Sequence, residues 1–167
     1  MAVILITGEI GTGKSTLIQR VLGILSPDEV VGLFTTKRPG SRNFEVVISG
    51  FHKNEEMLIG RHESGRGMIP VPTGFFHLGV RLLDNVKGSS FLVIDELGFL
   101  ENSAPCFRYY VFKAIDRVKN GILVLRDVRT PFLEAIRKTP GTRLFNITRE
   151  NRNEILNEVL EVINAGK

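Results

Sequence analysis

The sequence predicts an α/β fold: a mostly parallel sheet covered by helices on both faces, with an inserted antiparallel hairpin. Short apolar runs rich in β-branched residues alternate along the chain with segments whose apolar residues recur at helical spacing. Two such runs between residues 30 and 50 have no helix between them, which indicates the hairpin. With 167 residues, 43% of them hydrophobic and 24% charged, the chain is expected to form one domain, residues 1–167.

Seven segments are predicted as strands because each is a short, mainly apolar run bounded by turn signals. They are residues 2–7, 30–36, 44–49, 57–60, 91–95, 121–126 and 143–148. The segment 61–74 is rich in glycine and proline, and it is predicted as loop with at most a short strand around Ile69 and Val71.

Helices are predicted where apolar residues recur every three or four positions. The predicted helical segments are residues 14–25, 75–86, 103–118, 130–138 and 155–163. The fourth of them has the clearest start, because Thr130 is a plausible N-cap and Pro131 then occupies the first helical position. The aromatic residues of the third are predicted to form core and a possible interface, and they are Phe107, Tyr109, Tyr110 and Phe112.

Composition narrows the classes of function. The net charge of +4 suits an anionic ligand such as a nucleotide, but the basic residues are scattered, which is weak support for nucleic acid. No apolar run approaches the length of a membrane span, so no membrane association is expected. The single cysteine, Cys106, is predicted as a packing residue and favours a reducing cytoplasm. The three histidines have no metal-ligand spacing, so zinc is not expected.

The first strand–helix junction reads Gly-Glu-Ile-Gly-Thr-Gly-Lys-Ser from residue 8 to residue 15, the phosphate-binding loop pattern. Its glycines let backbone amides approach phosphate oxygens, and the following helix points its positive dipole end at the same anion. Lys14 is predicted to contact the β- and γ-phosphates, and Ser15 to offer a hydroxyl ligand to Mg²⁺. The predicted nucleotide-binding residues are Gly8, Glu9, Ile10, Gly11, Thr12, Gly13, Lys14, Ser15 and Thr16.

Two adjacent acids, Asp95 and Glu96, follow the apolar run 91–94. Unpaired carboxylates are costly to bury, and the carboxyl end of a strand is where ligands bind on parallel sheets. Asp95 is predicted to orient Mg²⁺, and Glu96 to orient or deprotonate an attacking water. Lys14, Asp95 and Glu96 are therefore the predicted catalytic residues, and Ser15 and Asp95 are the predicted metal ligands for a bound ATP, GTP or other nucleoside triphosphate.

With these segments, the chain resembles the small P-loop nucleoside-triphosphatases, a family that includes thermophile nucleotide phosphatases and the vertebrate cancer-related nucleoside-triphosphatase. The resemblance rests on ITGEIGTGKSTL, VVGLFTTKR with FEVV, VIDELGFLE, and NITRENRNEIL. It implies a RecA-like P-loop fold and Mg²⁺-dependent hydrolysis of several nucleoside triphosphates with loose base selectivity. It also supports Lys14, Ser15, Asp95 and Glu96 in the roles predicted above.

The chain departs from the family at two places. Phe99 stands where the family has a lysine, which would lower the hydrolysis rate if that lysine touches phosphate or orients Glu101. The loop after the second strand is short, so the family's arginine corresponds to Lys37, Arg38 or Arg42.

Other residues have two interpretations each. Arg38, Arg42 and Arg126 are either contacts of the γ-phosphate or solvated strand-end and loop cations. Asn151 and Arg152 either border the base or ribose, or begin the last helix with Thr148 as its N-cap.

Two other functions remain open beside hydrolysis. A small-molecule kinase, for a nucleoside or nucleotide, would use the same loop with an acceptor hydroxyl in place of water. It would need an arginine-rich lid, and the candidates are Arg126, Arg129, Arg137 and Arg143.

A slow nucleotide-dependent switch acting with a protein or nucleic-acid partner is the second alternative, and Phe99 favours it modestly. The oligomeric state is left open.

Overall fold

The computed structural model describes residues 2–40, 43–52 and 54–165, and its strands form one sheet. The strands are β1 (Ala2–Thr7), β2 (Val30–Pro39), β3 (Phe44–Gly50), β4 (Glu56–Glu63), β5 (Gly67–Pro70), β6 (Phe91–Leu97), β7 (Asn120–Leu125) and β8 (Thr142–Asn146). Their order across the sheet is β5-β4-β3-β2-β6-β7-β1-β8.

The helices are α1 (Lys14–Leu22), α2 (Pro72–Gly74), α3 (Val80–Asp84), α4 (Pro105–Arg117), α5 (Pro131–Arg137) and α6 (Arg152–Ala165). A π-helical turn, Phe75–Gly79, joins α2 to α3, and single 3₁₀ turns lie at Pro27–Glu29 and Leu100–Ser103. The predicted start of the fourth helix segment is correct, because the Thr130 hydroxyl accepts a hydrogen bond from the Leu133 N–H and Pro131 opens α5. The predicted end of the first helix at Leu25 is wrong, since α1 ends at Leu22 and is followed by Gly23.

The sheet has a parallel half and an antiparallel half. Strands β2, β6, β7, β1 and β8 pair in parallel, whereas β2, β3, β4 and β5 form an antiparallel meander. The α/β class is confirmed, but the inserted hairpin is larger than predicted. The short strand expected around Ile69 is confirmed as β5, but the prediction of the rest of 61–74 as loop is wrong at both ends, because β4 continues to Glu63 and α2 begins at Pro72.

Alternation along β1 explains why helices cover both faces of the sheet. Val3 and Leu5 point into one core layer and Ile4 and Ile6 into the other, and all four are fully buried. Residues of α1 and α6 complete one layer, and residues of α3, α4 and α5 complete the other. Both faces of β1 are therefore apolar, as expected for a central parallel strand.

The parallel strands end at one edge of the sheet, and that edge carries the predicted site. β1 leads into the phosphate loop, while Asp95 and Glu96 lie just before Leu97, the last residue of β6. β7 lies between β1 and β6, so the two strands are roughly 10 Å apart at two inter-strand spacings. This gap leaves room for a phosphate group between the loop and the acids.

Candidate nucleotide site

The phosphate loop is folded back on itself between β1 and α1. The Lys14 ammonium donates hydrogen bonds of 2.7 Å to the carbonyl oxygens of both Gly8 and Glu9. The Thr12 hydroxyl donates to the same Glu9 carbonyl at 3.0 Å. Gly13 lies just before α1 with φ +104°, in the left-handed region that favours glycine. The loop thus places the Lys14 amine over its own centre.

Gly8 fixes the loop against the neighbouring strand end. Its φ is +148°, and a Cβ at this position would lie 2.2 Å from the Ile147 carbonyl oxygen. The Ile147 N–H in turn donates to the Thr7 carbonyl at 2.8 Å. A side chain at position 8 would therefore separate the loop from the residues that follow β8.

The acid pair lies within β6 rather than beyond its end. The Glu96 N–H donates to the Thr35 hydroxyl at 3.3 Å, which ties this point of β6 to β2. The pKa of Asp95 is raised to about 6 by burial first and by the neighbouring Glu96 charge second, while Lys14 lowers it. Asp95 is thus a carboxylate in a poorly solvated place, where an added cation would favour its charged form.

A third acid, Glu101, lies behind this pair and is only 2% exposed. Its carboxylate accepts a hydrogen bond from the Gly98 N–H at 2.9 Å. Burial raises the pKa of Glu101 to about 7, although this hydrogen bond and one to its own backbone oppose the shift. Glu101 therefore stabilises the turn that carries Phe99. From the sequence, no role is predicted for Glu101 itself, and it is mentioned only as a residue that the family's lysine could orient.

Arg126 joins the end of β7 to the acid strand. Its N–H donates to the Leu97 carbonyl at 2.8 Å, and its side-chain Nε lies 3.6 Å from Glu96 Oε1. Its guanidinium carbon also lies 5.6 Å from the centre of the Phe99 ring, a cation–π distance. Arg126 is thus oriented by three contacts with β6 and the turn after it.

Two neighbouring cavities meet at this edge of the sheet. The one over the phosphate loop, called here the loop cavity, has a volume of ≈ 440 Å³. The one beside the acids, called the acid cavity, has a volume of ≈ 390 Å³. Ser15, Lys37, Glu96 and Arg126 line both of them. The structure therefore brings the loop, the acid strand and two cations around two adjoining cavities.

The oxygen atoms around this space suit Mg²⁺. Ser15 and Asp95 both line the acid cavity, and they offer a hydroxyl and a carboxylate. Mg²⁺ binds through one or two protein oxygens and takes its other ligands from phosphates and water. In the described ranges 2–40, 43–52 and 54–165, no group of three or more His, Cys, Asp or Glu side chains is placed to hold a metal.

The candidate arginines of the hairpin do not all reach the site. Arg38 forms ion pairs with Glu45, at 3.1 Å, and with Glu56. Arg42 lies outside the described residues. Lys37, the third candidate, lines both cavities, so of the two candidates that the structure describes it is the one that faces the site.

The arginines proposed for a lid are not gathered into one. Arg137 forms an ion pair with Glu134 at 2.8 Å and donates to the Val128 carbonyl. Arg143 pairs with Glu158 of α6 at 3.1 Å. Two of the four arginines are therefore held in contacts within their own part of the fold.

The segment after β8 borders the phosphate loop. Arg152 lines the loop cavity, and its Cδ would lie 3.7 Å from a Cβ built on Gly13. Arg149, which the sequence did not single out, has Nη2 4.0 Å from the same point on Gly11. The prediction of Thr148 as N-cap is wrong, because α6 begins at Arg152. Thr148 instead exchanges hydrogen bonds with Asn151 in the preceding turn.

Several secondary predictions fall outside the site. Cys106 is exposed, so its prediction as a packing residue is wrong. Phe107 is buried at 1% exposure, whereas Tyr109, on the same helix, is 62% exposed. Within the part of the chain that the structure describes, no helix has the length and apolar character to cross a bilayer.

A phosphate loop between a buried strand and a helix, facing an Asp–Glu pair on a parallel strand, defines the P-loop nucleoside-triphosphatase class. A crystal structure of THEP1 from Aquifex aeolicus has the same fold, with a TM-score of 0.77 at 24% identity over 96% of this chain and 98% of that one. The solution structure of a human cancer-related nucleoside triphosphatase gives a TM-score of 0.76, again at 24% identity, with both chains covered completely.

Sequence comparison defines the family. The chain is 30% identical to nucleoside-triphosphatase THEP1 of Thermotoga maritima, covering 96% of this chain and 94% of the relative. It is 32% identical to the cancer-related nucleoside-triphosphatase homolog of Bos taurus, covering 94% of each. The profile of the NTPase family matches residues 3–160. The chain therefore belongs to the NTPase family, and the predicted resemblance and enzyme class are confirmed.

Proposed function

We propose that the protein hydrolyses nucleoside 5′-triphosphates to diphosphates and phosphate, in a Mg²⁺-dependent reaction with loose selectivity for the base. The observation that carries this proposal is that Ser15, Lys37, Glu96 and Arg126 line both the loop cavity and the acid cavity. A triphosphate lying on the loop would have its terminal phosphate at this shared boundary. Glu96, Lys37 and Arg126 would then face the γ-phosphorus, the atom that the water attacks.

The phosphate loop would bind the triphosphate through Gly8–Thr16. Its backbone N–H groups and the N-terminus of α1 provide donors and a positive dipole end. The Lys14 ammonium would exchange its bonds with the Gly8 and Glu9 carbonyls for bonds with β- and γ-phosphate oxygens. These interactions bind the charge of the substrate without contacting its base.

Ser15 and Asp95 would hold Mg²⁺, whose charge offsets the negative charge of the phosphate oxygens. Their shared position in the acid cavity and their oxygen donors support this assignment. Burial and the Glu96 charge raise the pKa of Asp95. A cation beside the carboxylate would therefore stabilise its charged form.

Glu96 would accept the proton of the attacking water. The water oxygen forms a bond to the γ-phosphorus while the bond from that phosphorus to the bridging oxygen breaks. Thr35 positions the Glu96 backbone through its 3.3 Å hydrogen bond. Arg126 and Lys37 line the same boundary, and they would stabilise the charge on the transferring group.

Arginines at the other end of the loop support loose base selectivity. Arg152 lines the loop cavity, and Arg149 lies beside Gly11. Planar guanidinium groups stack on any base because every base has a π-face. A base held in this way is retained without its edge being read.

The proposal is tested by phosphate release with Mg²⁺ and each of ATP, GTP, CTP and UTP, without any added acceptor. We expect all four to be hydrolysed at rates within about tenfold of each other, since stacking tolerates every base. Lys14→Ala and Glu96→Gln should each abolish release, and a chelator of Mg²⁺ should do the same. Arg66→Ala, at a 77% exposed side chain on the β4–β5 turn, is the matched control and should retain activity.

A slow nucleotide-dependent switch is the second candidate, and the ion pair between Arg126 and Glu96 favours it. In this pair, at 3.6 Å, the Arg126 cation interacts with Glu96, the proposed general base. Tight nucleotide binding with no phosphate release from the unmodified protein would contradict hydrolysis and support the switch.

The free, exposed Cys106 thiol agrees with the proposed cytoplasmic location.

A further inference from the structure

The acid cavity extends well beyond the point that a triphosphate would occupy. Its far half is formed by β3, β4, β5 and the 3₁₀ turn Leu100–Ser103, and it is lined by apolar side chains. These are Phe44, Val46, Ile59, Met68 and Leu100. An attacking water needs only about 30 Å³, so hydrolysis alone leaves this apolar half without a purpose. Cavities of a few hundred Å³ with apolar walls and a few polar groups are typical small-molecule sites.

One wall of the far half contains two stacked aromatic rings. The rings of Phe44 and His62 stack at 5.0 Å with an angle of 17° between their planes. The His62 ring nitrogen Nδ1 lies 2.9 Å from Asn43 Nδ2, which holds that ring in place. Lys37 Nζ lies 5.1 Å from the Phe44 ring centre. Aromatic rings held in this way, with a cation over one of them, suit contact with a planar ring that carries polar edges.

The other end of the cavity has the group that a hydroxyl would need. Glu96 lies where the two cavities meet, and it lines both. A hydroxyl of a molecule in the far half would approach this boundary from the side opposite to the phosphate loop. This is the side from which an in-line nucleophile approaches a γ-phosphorus bound on the loop.

We propose that the far half of the acid cavity is a second substrate site for a nucleoside, with the base against Phe44 and a ribose hydroxyl at Glu96. The protein then also transfers phosphate, with Lys37 and Arg126 at the cavity boundary, rather than an arginine-rich lid, facing the transferred group. The hydroxyl oxygen forms a bond to the γ-phosphorus, the bond from that phosphorus to the bridging oxygen breaks, and Glu96 takes the hydroxyl proton. The products are a nucleoside monophosphate and a nucleoside diphosphate. This inference rests on the proposed function, because it uses the same triphosphate and the same Glu96.

The test incubates the protein with Mg²⁺, γ-labelled ATP and each of adenosine, guanosine, cytidine and uridine. Free phosphate and labelled nucleoside monophosphate are measured in the same samples. We expect at least one nucleoside to become phosphorylated in a saturable way, with the label divided between nucleoside and water. The quantity compared among variants is the ratio of transferred to released phosphate.

Two variants change the far half in opposite ways. Met68→Phe adds volume beside the Phe44 wall, and Phe44→Ala removes the wall. Each should lower the ratio of transferred to released phosphate by about tenfold, the effect of a misfitted apolar pocket. Leu144→Phe, at a 46% exposed side chain on β8, is the control and should leave the ratio unchanged. Thermal melting confirms that each variant is folded.

The outcomes separate the two proposals. Phosphate release without any labelled monophosphate from the four nucleosides would overturn the second site and leave hydrolysis standing. Labelled monophosphate without release to water would contradict the proposed hydrolysis and support transfer. If folded Met68→Phe and Phe44→Ala both keep the unmodified ratio, the nucleoside does not occupy the far half and the inference fails.

Discussion

Arg126 lies between the acid it pairs with and the aromatic ring it covers: Nε is 3.6 Å from Glu96 Oε1, and the guanidinium carbon is 5.6 Å from the Phe99 ring centre. Both side chains of the ion pair are about one-third exposed, at 30% and 32%, so solvent screens the pair. The pair is therefore weak enough to exchange when a more highly charged group is bound. A terminal phosphate would be such a group.

Replacing Arg126 tests whether it acts on phosphate or only restrains Glu96. Arg126→Ala should lower kcat for phosphate release by about a hundredfold with a small change in KM, because a charge stabiliser acts mainly in the transition state. Steady-state kinetics with ATP measure both constants. Arg143→Ala, which breaks a surface pair with Glu158, should leave both unchanged. A kcat equal to or above that of the unmodified protein would mean that Arg126 only masks Glu96.

Phe99, which the predicted resemblance aligns with a family lysine, is 37% exposed and lines the acid cavity. Phe99→Lys should raise kcat, by about tenfold, through an added cation near the transferring phosphate. The new charge would also repel Arg126 and loosen its pairing with Glu96. Phe99→Met, which removes the ring without adding charge, separates the two effects. Equal rates for Phe99→Lys and the unmodified protein would show that Phe99 does not limit catalysis.

The buried Glu101 should make folding stability depend on pH. Its folded-state pKa is about 7 against an ordinary value of 4.5, so between these values the folded state retains a proton that the unfolded state releases. Stability contributed by this group is present below pH 4.5 and falls as pH rises to about 7. The full loss is about 3 kcal/mol in the free energy of unfolding.

Glu101→Gln should remove this dependence, because its amide oxygen still accepts the Gly98 N–H bond without a charge to bury. We expect the variant to gain stability over the unmodified protein as pH rises from about 5 to about 8. Urea unfolding at both pH values measures the change. Glu161→Gln, at an exposed position of α6, controls for the loss of one charge. Parallel pH profiles of Glu101→Gln and the unmodified protein would contradict a buried titrating carboxyl.

Arg152→Ala should weaken binding of every nucleotide to a similar extent. A stacking contact contributes about 1–3 kcal/mol per base, so KM should rise roughly tenfold for each of ATP, GTP, CTP and UTP. Equilibrium binding of the four nucleotides, measured beside KM, confirms that the effect is on binding. A rise confined to one or two bases would indicate that Arg152 reads base edges.

Local patterns made part of this structure predictable. The phosphate loop, β1 and the start of α1 follow from contiguous residues whose spacing has one physical interpretation. The start of α5 is equally local, because Thr130 caps the N–H of Leu133 three residues later. In these cases the residues that determine an element belong to it or lie next to it in the sequence.

Other features depend on partners that are distant in sequence. The edge strand β5 has polar and glycine neighbours, and it is ordered by pairing with β4, as in Arg61 opposite Ile69. The contacts of Arg126 with Glu96 and Phe99 join the ends of two strands. The position of Arg149 depends on β8 lying beside β1. Such relationships require the sheet order, which a single sequence does not give.

The position of β1 in the sheet also has a consequence for biosynthesis. β1 leaves the ribosome before the other strands of this sheet, yet Ala2 pairs with Asn120 on β7 and Val3 with Thr142 on β8. Until those residues emerge, an apolar strand with two unpaired edges is exposed, and such edges invite association with other chains. A growing chain therefore carries its phosphate loop before the sheet that completes the candidate site can form. During that interval chaperone protection of the first strand would matter most.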